Sequence, residues 1–275
     1  MEVAVKVLRR SMLEMGEGIE EEFEREIGFM QRTRHSNIVR FFGAGRQEDG
    51  TPFLVEELMS GGTLTKLLRG TNSRALDWNT KAALATDVAR GMSYIHMQGH
   101  VHRDLKSGNV LITESLQAKV ADFGSVGRLL SERPADRTSS RLSVASFASD
   151  SELELTQGVG TPMYMSLEML RHAGYDERTD VWSFGVLLWE IAAQAPPDLL
   201  QQEGFKRGPA FSGLLRLLES GCRLTIGAEW PDPWRPLVAQ CMQQDPEARP
   251  DFPSLVRTLE GIREGSAAQT TVPAP

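Results

Sequence analysis

Residues 102–112 read HRDLKSGNVLI. Three polar residues, Asp104, Lys106 and Asn109, stand in a short loop that runs straight into the apolar pair Val110 and Leu111. Thirteen residues after Asn109 comes a second carboxylate, Asp122, in the tripeptide DFG. An amide and a carboxylate set in this way can hold Mg²⁺ through oxygen atoms. The other carboxylate, Asp104, is then left to accept a proton from a hydroxyl.

The rest of the chain bounds what that loop can serve. Its 275 residues, 40 % hydrophobic and 24 % charged, suit a globular fold of one large domain or two lobes. A net charge of −7 and a pI near 5.4 argue against nucleic acid as a general partner. Two cysteines, Cys222 and Cys241, are too few for a disulfide framework. No apolar run approaches the length of a membrane span, and no signal peptide is visible, so a cytoplasmic location is expected.

Upstream of the loop, VAVK at residues 3–6 alternates Val3, Val5 and Val7 with Ala4 and Lys6 and reads as a buried strand. An acidic segment follows in which Phe23, Ile27 and Met30 recur at spacings of four and three, one apolar stripe of a helix. Two short apolar runs flank QEDG, which reads as a hairpin turn. Residues 1–59 therefore predict a small sheet with one helix, closed by the hinge-like SGGTL. Beyond it the pattern is helical, with Asp77 as an N-cap and Ala82, Leu84, Ala85, Val88 and Met92 on one apolar face. Residues 131–151, rich in Ser and Arg, read as a mobile loop, and the tail EGSAAQTTVPAP reads as frayed.

The sequence resembles the protein kinases over essentially its whole length. VAVK, HRDLKSGN, DFG, GTPMYMSLE and DVWSFGVLLWE occur in the family's order. The resemblance implies an α+β, bilobal fold: a truncated upper lobe at 1–59, a mainly helical lower lobe at 60–263 with an activation segment at 122–168, and a flexible tail at 264–275. It further implies ATP and Mg²⁺ as cofactors and a protein as substrate. Lys6 looks like the strand lysine that meets the α- and β-phosphates, and Glu26 like its ion-pair partner. Asp104 looks like the catalytic base, Lys106 like a neutraliser of γ-phosphate charge, and Asn109 and Asp122 like the Mg²⁺ ligands. Ala4 and Leu111 would close on the adenine ring, with Glu57 and Met59 offering backbone groups to its edge. Asp180 would anchor the catalytic loop, and Arg249 would pair with Glu168. Singly, Lys6 and Glu26 would read as solvated charges; the full motif set decides for the functional roles of Lys6, Asp104, Asn109 and Asp122, while Glu22 and Glu24 offer other registers for the helix partner and the four-residue spacing to Met30 favours Glu26.

RDLKSGN, with Lys106 two residues after Asp104, resembles the serine/threonine kinases, and Thr161 would bridge Asp104 and Lys106. RTRHSNIVRFFG, SFGVLLWEI and QCMQQDPEARPDF resemble the tyrosine-kinase-like group, whose members mostly phosphorylate Ser and Thr.

Four departures from the family pattern stand out. Only Met1 and Glu2 precede VAVK, where the family carries a Gly-rich hairpin. Glu56 occupies the position at the back of the adenine pocket that usually holds an uncharged residue, and Lys6 is its expected partner. SLE replaces APE at 166–168. The activation segment is 47 residues long, and an upstream kinase could act there on Thr156, Ser139, Ser140 or Ser143, with phosphate on Thr156 pairing with Arg103. The expected function is transfer of the ATP γ-phosphate to Ser or Thr hydroxyls of proteins in intracellular signalling. The rival is a pseudokinase or scaffold with little turnover. A small-molecule phosphotransferase is disfavoured by GTPMYMSLE, which resembles a peptide-binding segment.

Overall fold

The computed structural model describes residues 2–7, 18–70, 74–128, 161–171, 173, 176–205 and 210–270. Thr156, Ser139, Ser140 and Ser143, expected as phosphorylation sites, lie outside the described residues, as does the side chain of Thr161.

Strands β1 (Val3–Val7), β2 (Phe41–Arg46) and β3 (Pro52–Glu57) form an antiparallel sheet in the order β1-β3-β2. The β2–β3 hairpin turns through QEDG: Gln47 N donates to Thr51 O, and Gly50 supplies the left-handed φ of +84° that the turn needs. Helix α1 (Gly18–Arg32) lies against β2, and its Phe23, Phe29 and Met30 are buried in the core.

One expectation is corrected here. VAVK is not a buried strand: Val3, Val5 and Val7 are 37, 55 and 43 % exposed. Pairing places Ala4 opposite Glu56 and Lys6 opposite Leu54, and Leu54 is fully buried. Paired residues share a face, so Ala4 and Lys6 point inward and the valines outward. β1 is an edge strand among the described residues, and its inner face serves Lys6 rather than the core.

The lower part is mainly helical. Thr63 caps α2 (Leu64–Arg69), and Asp77 caps α3 (Trp78–Met97) by accepting from Thr80 N at 2.8 Å. Ala82, Leu84, Ala85, Val88 and Met92 are all fully buried, as their spacing predicts. Short strand β4 (His100–Val101) pairs with β7 (Gly127–Arg128), and β5 (Val110–Ile112) with β6 (Ala118–Val120). Helices α4 (Leu167–Leu170), α5 (Arg178–Ala193), α6 (Leu199–Gln202), α7 (Ala210–Glu219), α8 (Trp234–Cys241) and α9 (Phe252–Thr270) follow. Helix α5 is buried almost throughout, Trp182 and Trp189 included. Helix α9 runs on through Thr270, past the point where composition predicts fraying.

Asn37 joins the two parts. Its carbonyl accepts from Val120 N at 2.9 Å, and its side chain donates to Ala118 O at 3.1 Å. Gly91 on α3 lets this loop approach, since a Cβ there would stand 2.6 Å from Asn37 O. Cys222 and Cys241 are free thiols; burial pushes that of Cys241 well up.

Candidate active site

The loop between β4 and β5 is fixed from below by one buried carboxylate. Asp180, fully buried on α5, accepts the backbone N–H groups of His102 and Arg103 at 2.8 Å each and meets His96 Nε2 at 2.8 Å. Arg103 takes a left-handed φ of +70° at this point, a conformation that needs such support. Burial works against ionisation of Asp180. The hydrogen bond and charge of His96, with the His102 amide, outweigh it and hold the carboxyl below its usual value.

His102 is buried and works structurally. Asp104 N donates to its Nδ1 at 3.3 Å, which leaves the proton on Nε2 to donate to Ala121 O at 3.1 Å. Its ring meets Phe123 edge-on at 5.6 Å, and Phe123 also packs on Phe29 of α1. The loop is thus tied to the DFG segment and to the upper helix together.

Asp104 stands between its two expected companions. Lys106 Nζ lies 3.0 Å from Asp104 Oδ2, and Asn109 Nδ2 donates to the same oxygen at 2.7 Å and to Asp104 O at 2.8 Å. With its amide nitrogen so committed, Asn109 keeps its side-chain oxygen for another ligand. Its backbone carbonyl accepts from Ala121 N at 2.8 Å, which sets Asp122 next to the loop. Asp122 itself has a φ of +64°.

Among the described residues no group of three or more His, Cys, Asp or Glu side chains could hold a metal ion. One carboxylate and one amide oxygen are still a fitting donor set for Mg²⁺, which retains waters and takes its remaining oxygens from phosphates.

Lys6 Nζ donates to Asp122 Oδ1 at 2.6 Å and lies 3.7 Å from Glu26 Oε1. The structure brings all three together, with the aspartate as the nearer partner. Glu26 is only 7 % exposed, and its Oε1 has no hydrogen bond. Burial, helped by Asp122 and Glu56 and opposed by Lys6, pushes the Glu26 carboxyl up to about 7. Burial likewise raises Glu56, with Lys6 opposing and Asp122 adding. For Asp122 the Lys6 ammonium outweighs burial and holds the carboxyl below its usual value.

Leu111 and Met59 meet in a small apolar cluster with Val39 and Ala121. Ala4 lies opposite Glu56 on the Lys6 face of the sheet. Glu57 N donates to Arg40 O at 2.8 Å. The Glu57 carboxylate is clamped by Lys119 Nζ at 2.7 and 2.8 Å, a tie between β3 and β6 that the sequence did not show.

A second polar network also escaped the sequence reading. Buried Glu190 of α5 accepts from Tyr164 Oη and from Ser107 Oγ at 2.8 Å, and lies 2.9 Å from Arg69. Thr65 Oγ1 in turn lies 2.6 Å from Ser107 Oγ. The one signal available was a glutamate inside the otherwise apolar VWSFGVLLWEI. Arg249, whose side chain is fully buried, makes the expected fork to Glu168 at 2.6 and 3.1 Å.

Residues 1–259 match the model of the protein tyrosine and serine/threonine kinases. The chain is a protein kinase domain. It is similar to a probable LIM domain-containing serine/threonine-protein kinase of Dictyostelium discoideum, 36 % identical over 89 % of this chain and 33 % of the relative. A serine/threonine/tyrosine-protein kinase of Arabidopsis thaliana is 31 % identical over 95 % of this chain and 60 % of its own. The dual specificity testis-specific protein kinase 1 of Homo sapiens is 34 % identical over 91 % and 36 %. The kinase domain thus spans between about a third and three fifths of these relatives' lengths.

Proposed function

We propose that this kinase domain transfers the γ-phosphoryl group of ATP to Ser or Thr hydroxyls of protein substrates. The observation that carries the reading is the placing of Asp104, held between Lys106 and Asn109 on a loop whose backbone hangs from Asp180. Asp104 orients the substrate hydroxyl and accepts its proton as the O–P bond forms. Lys106 stands beside it to offset charge on the transferred group. Lys6 meets the α- and β-phosphates, and the adenine lies between Ala4 and Leu111 with its edge toward the Glu57–Met59 backbone. Asn109 and Asp122 would hold Mg²⁺, which supplies charge neutralisation on the phosphate oxygens.

The relatives' names support Ser/Thr as acceptors, with tyrosine or dual specificity named for two of the three. An upstream kinase acting on the activation segment fits the same reading. So does a cytoplasmic location, with two free thiols and no described helix long and apolar enough to cross a membrane.

A second reading, a scaffold with little turnover, is favoured by one observation: Lys6 sits closer to Asp122 than to Glu26. Incubation with labelled Mg·ATP and a mixture of basic and acidic proteins, followed by phosphoamino-acid analysis, separates the readings. Phosphoserine or phosphothreonine supports the kinase. Phosphotyrosine alone overturns the acceptor class, and absence of label favours the scaffold.

A further inference from the structure

The inner face of the sheet carries one more carboxylate than its chemistry needs. Lys6 on β1 and Glu56 on β3 are diagonal neighbours on that face, because Ala4 pairs with Glu56 and Lys6 with Leu54. At this spacing long side chains reach one another. Glu26 arrives from α1 and Asp122 from the loop after β6, so the ammonium has carboxylates at 3.7 and 2.6 Å, and Glu56 adds its charge from farther off on the same face. The Lys106 charge also bears on Asp122, while its ammonium is engaged with Asp104 in the loop.

The ammonium does not serve all three equally. Asp122 takes the hydrogen bond at 2.6 Å, while Glu26 is left at 3.7 Å with a buried oxygen that no hydrogen bond reaches. A nucleotide brings further negative charge to the same ammonium. A divalent cation held by Asn109 and Asp122 would offset the charge of Asp122, and Glu26 would be the lysine's remaining partner. Glu56 has no such compensation: its charge stays on the sheet face and opposes the incoming phosphates.

We propose that Glu56 is a positioning residue that draws on Lys6 and repels phosphate, and so sets a low affinity of this site for Mg·nucleotide. Neutralising it leaves Lys6 to Glu26 and the phosphates, and tightens binding. The proposal rests on the reading of the site as a nucleotide site, and the test separates the two.

Calorimetric titration of the whole chain with Mg·ADP compares the parent with Glu56→Gln, which keeps shape and removes charge. Glu56→Thr serves as a second neutral variant should the first fail to fold, with thermal melting as the check. The expected result is an affinity about three- to tenfold tighter for the neutral variants. Glu56→Asp, which keeps the charge, retains parental affinity, an outcome that a packing change alone would not give. Neutral variants that bind Mg·ADP no more tightly than the parent overturn the role of Glu56 and leave the nucleotide site standing. Absence of Mg·ADP binding in parent and variants alike overturns both.

Discussion

Lys6 donates to Asp122 Oδ1 across 2.6 Å, and this bond joins the edge strand β1 to the DFG segment of the lower part. The same carboxylate is the proposed Mg²⁺ ligand, so ligand binding and the Lys6 contact compete for it. Lys6→Met is expected to lower phosphate transfer by about a hundredfold or more, as loss of a charge-stabilising donor does. The pair is partly exposed, so its contribution to stability is about 1 kcal/mol or less. Steady-state rates beside a urea melt check both halves; a large loss of stability with rate intact would contradict the assignment.

Asp180 makes the catalytic loop sensitive to acid. Its carboxyl sits below the usual value because His96 and the His102 amide outweigh burial. A depressed native pKa means that this stabilisation is complete above the unfolded value of about 3.9 and is lost as pH falls through the native one. Asp180→Asn is expected to cost about 3 kcal/mol near neutrality, since one amide oxygen cannot replace both acceptors. It should also flatten the fall of stability below about pH 4. Urea midpoints measured across that range decide the point, and parallel curves for parent and variant would refute it.

Arg249 offers a cleaner coupling. Its guanidinium is fully buried, forks onto Glu168, and stacks 5.1 Å over Trp182. Arg249→Lys keeps the charge and loses the fork, and about 3 kcal/mol of stability is expected to go with it. A double-mutant cycle with Glu168→Gln should return a coupling above about 1 kcal/mol; additive losses would show that the pair contributes nothing jointly.

Tyr164 reaches Glu190 through its hydroxyl, and Glu190 also holds Ser107 of the catalytic loop and Arg69 of α2. Tyr164→Phe leaves one buried carboxylate oxygen short of a donor, at a cost of about 1–3 kcal/mol. Because the residue lies three positions after Thr161 in GTPMYMSLE, the protein-substrate KM is expected to rise more than the KM for ATP. Equal rises in both would place the defect in the whole fold.

The sequence showed what short motifs can hold. The neighbourhood of HRDLKSGN and DFG, the Asp180 anchor and the Arg249–Glu168 pair were legible because each sits in a recognisable local string. Contacts between distant strings were not. Glu57 and Lys119 are 62 residues apart, Ser107 and Glu190 83, and nothing in either neighbourhood names the other. His96 was hidden for the same reason, although it supplies one of the three hydrogen bonds of Asp180. Alternating valines predict a buried face for β1, whereas pairing with β3 turns Ala4 and Lys6 inward. Glu26 was placed on the correct helix, but the preference of Lys6 for Asp122 depends on side-chain positions that periodicity does not encode.

The central claim is that Asp104 is the base of a phosphoryl transfer. Its most direct test compares the whole chain with Asp104→Asn for transfer of label from Mg·ATP to a basic protein substrate. The account predicts label on Ser or Thr with the parent, a loss of about a hundredfold or more in the variant, and a melting temperature little changed. Equal transfer by parent and variant would contradict it.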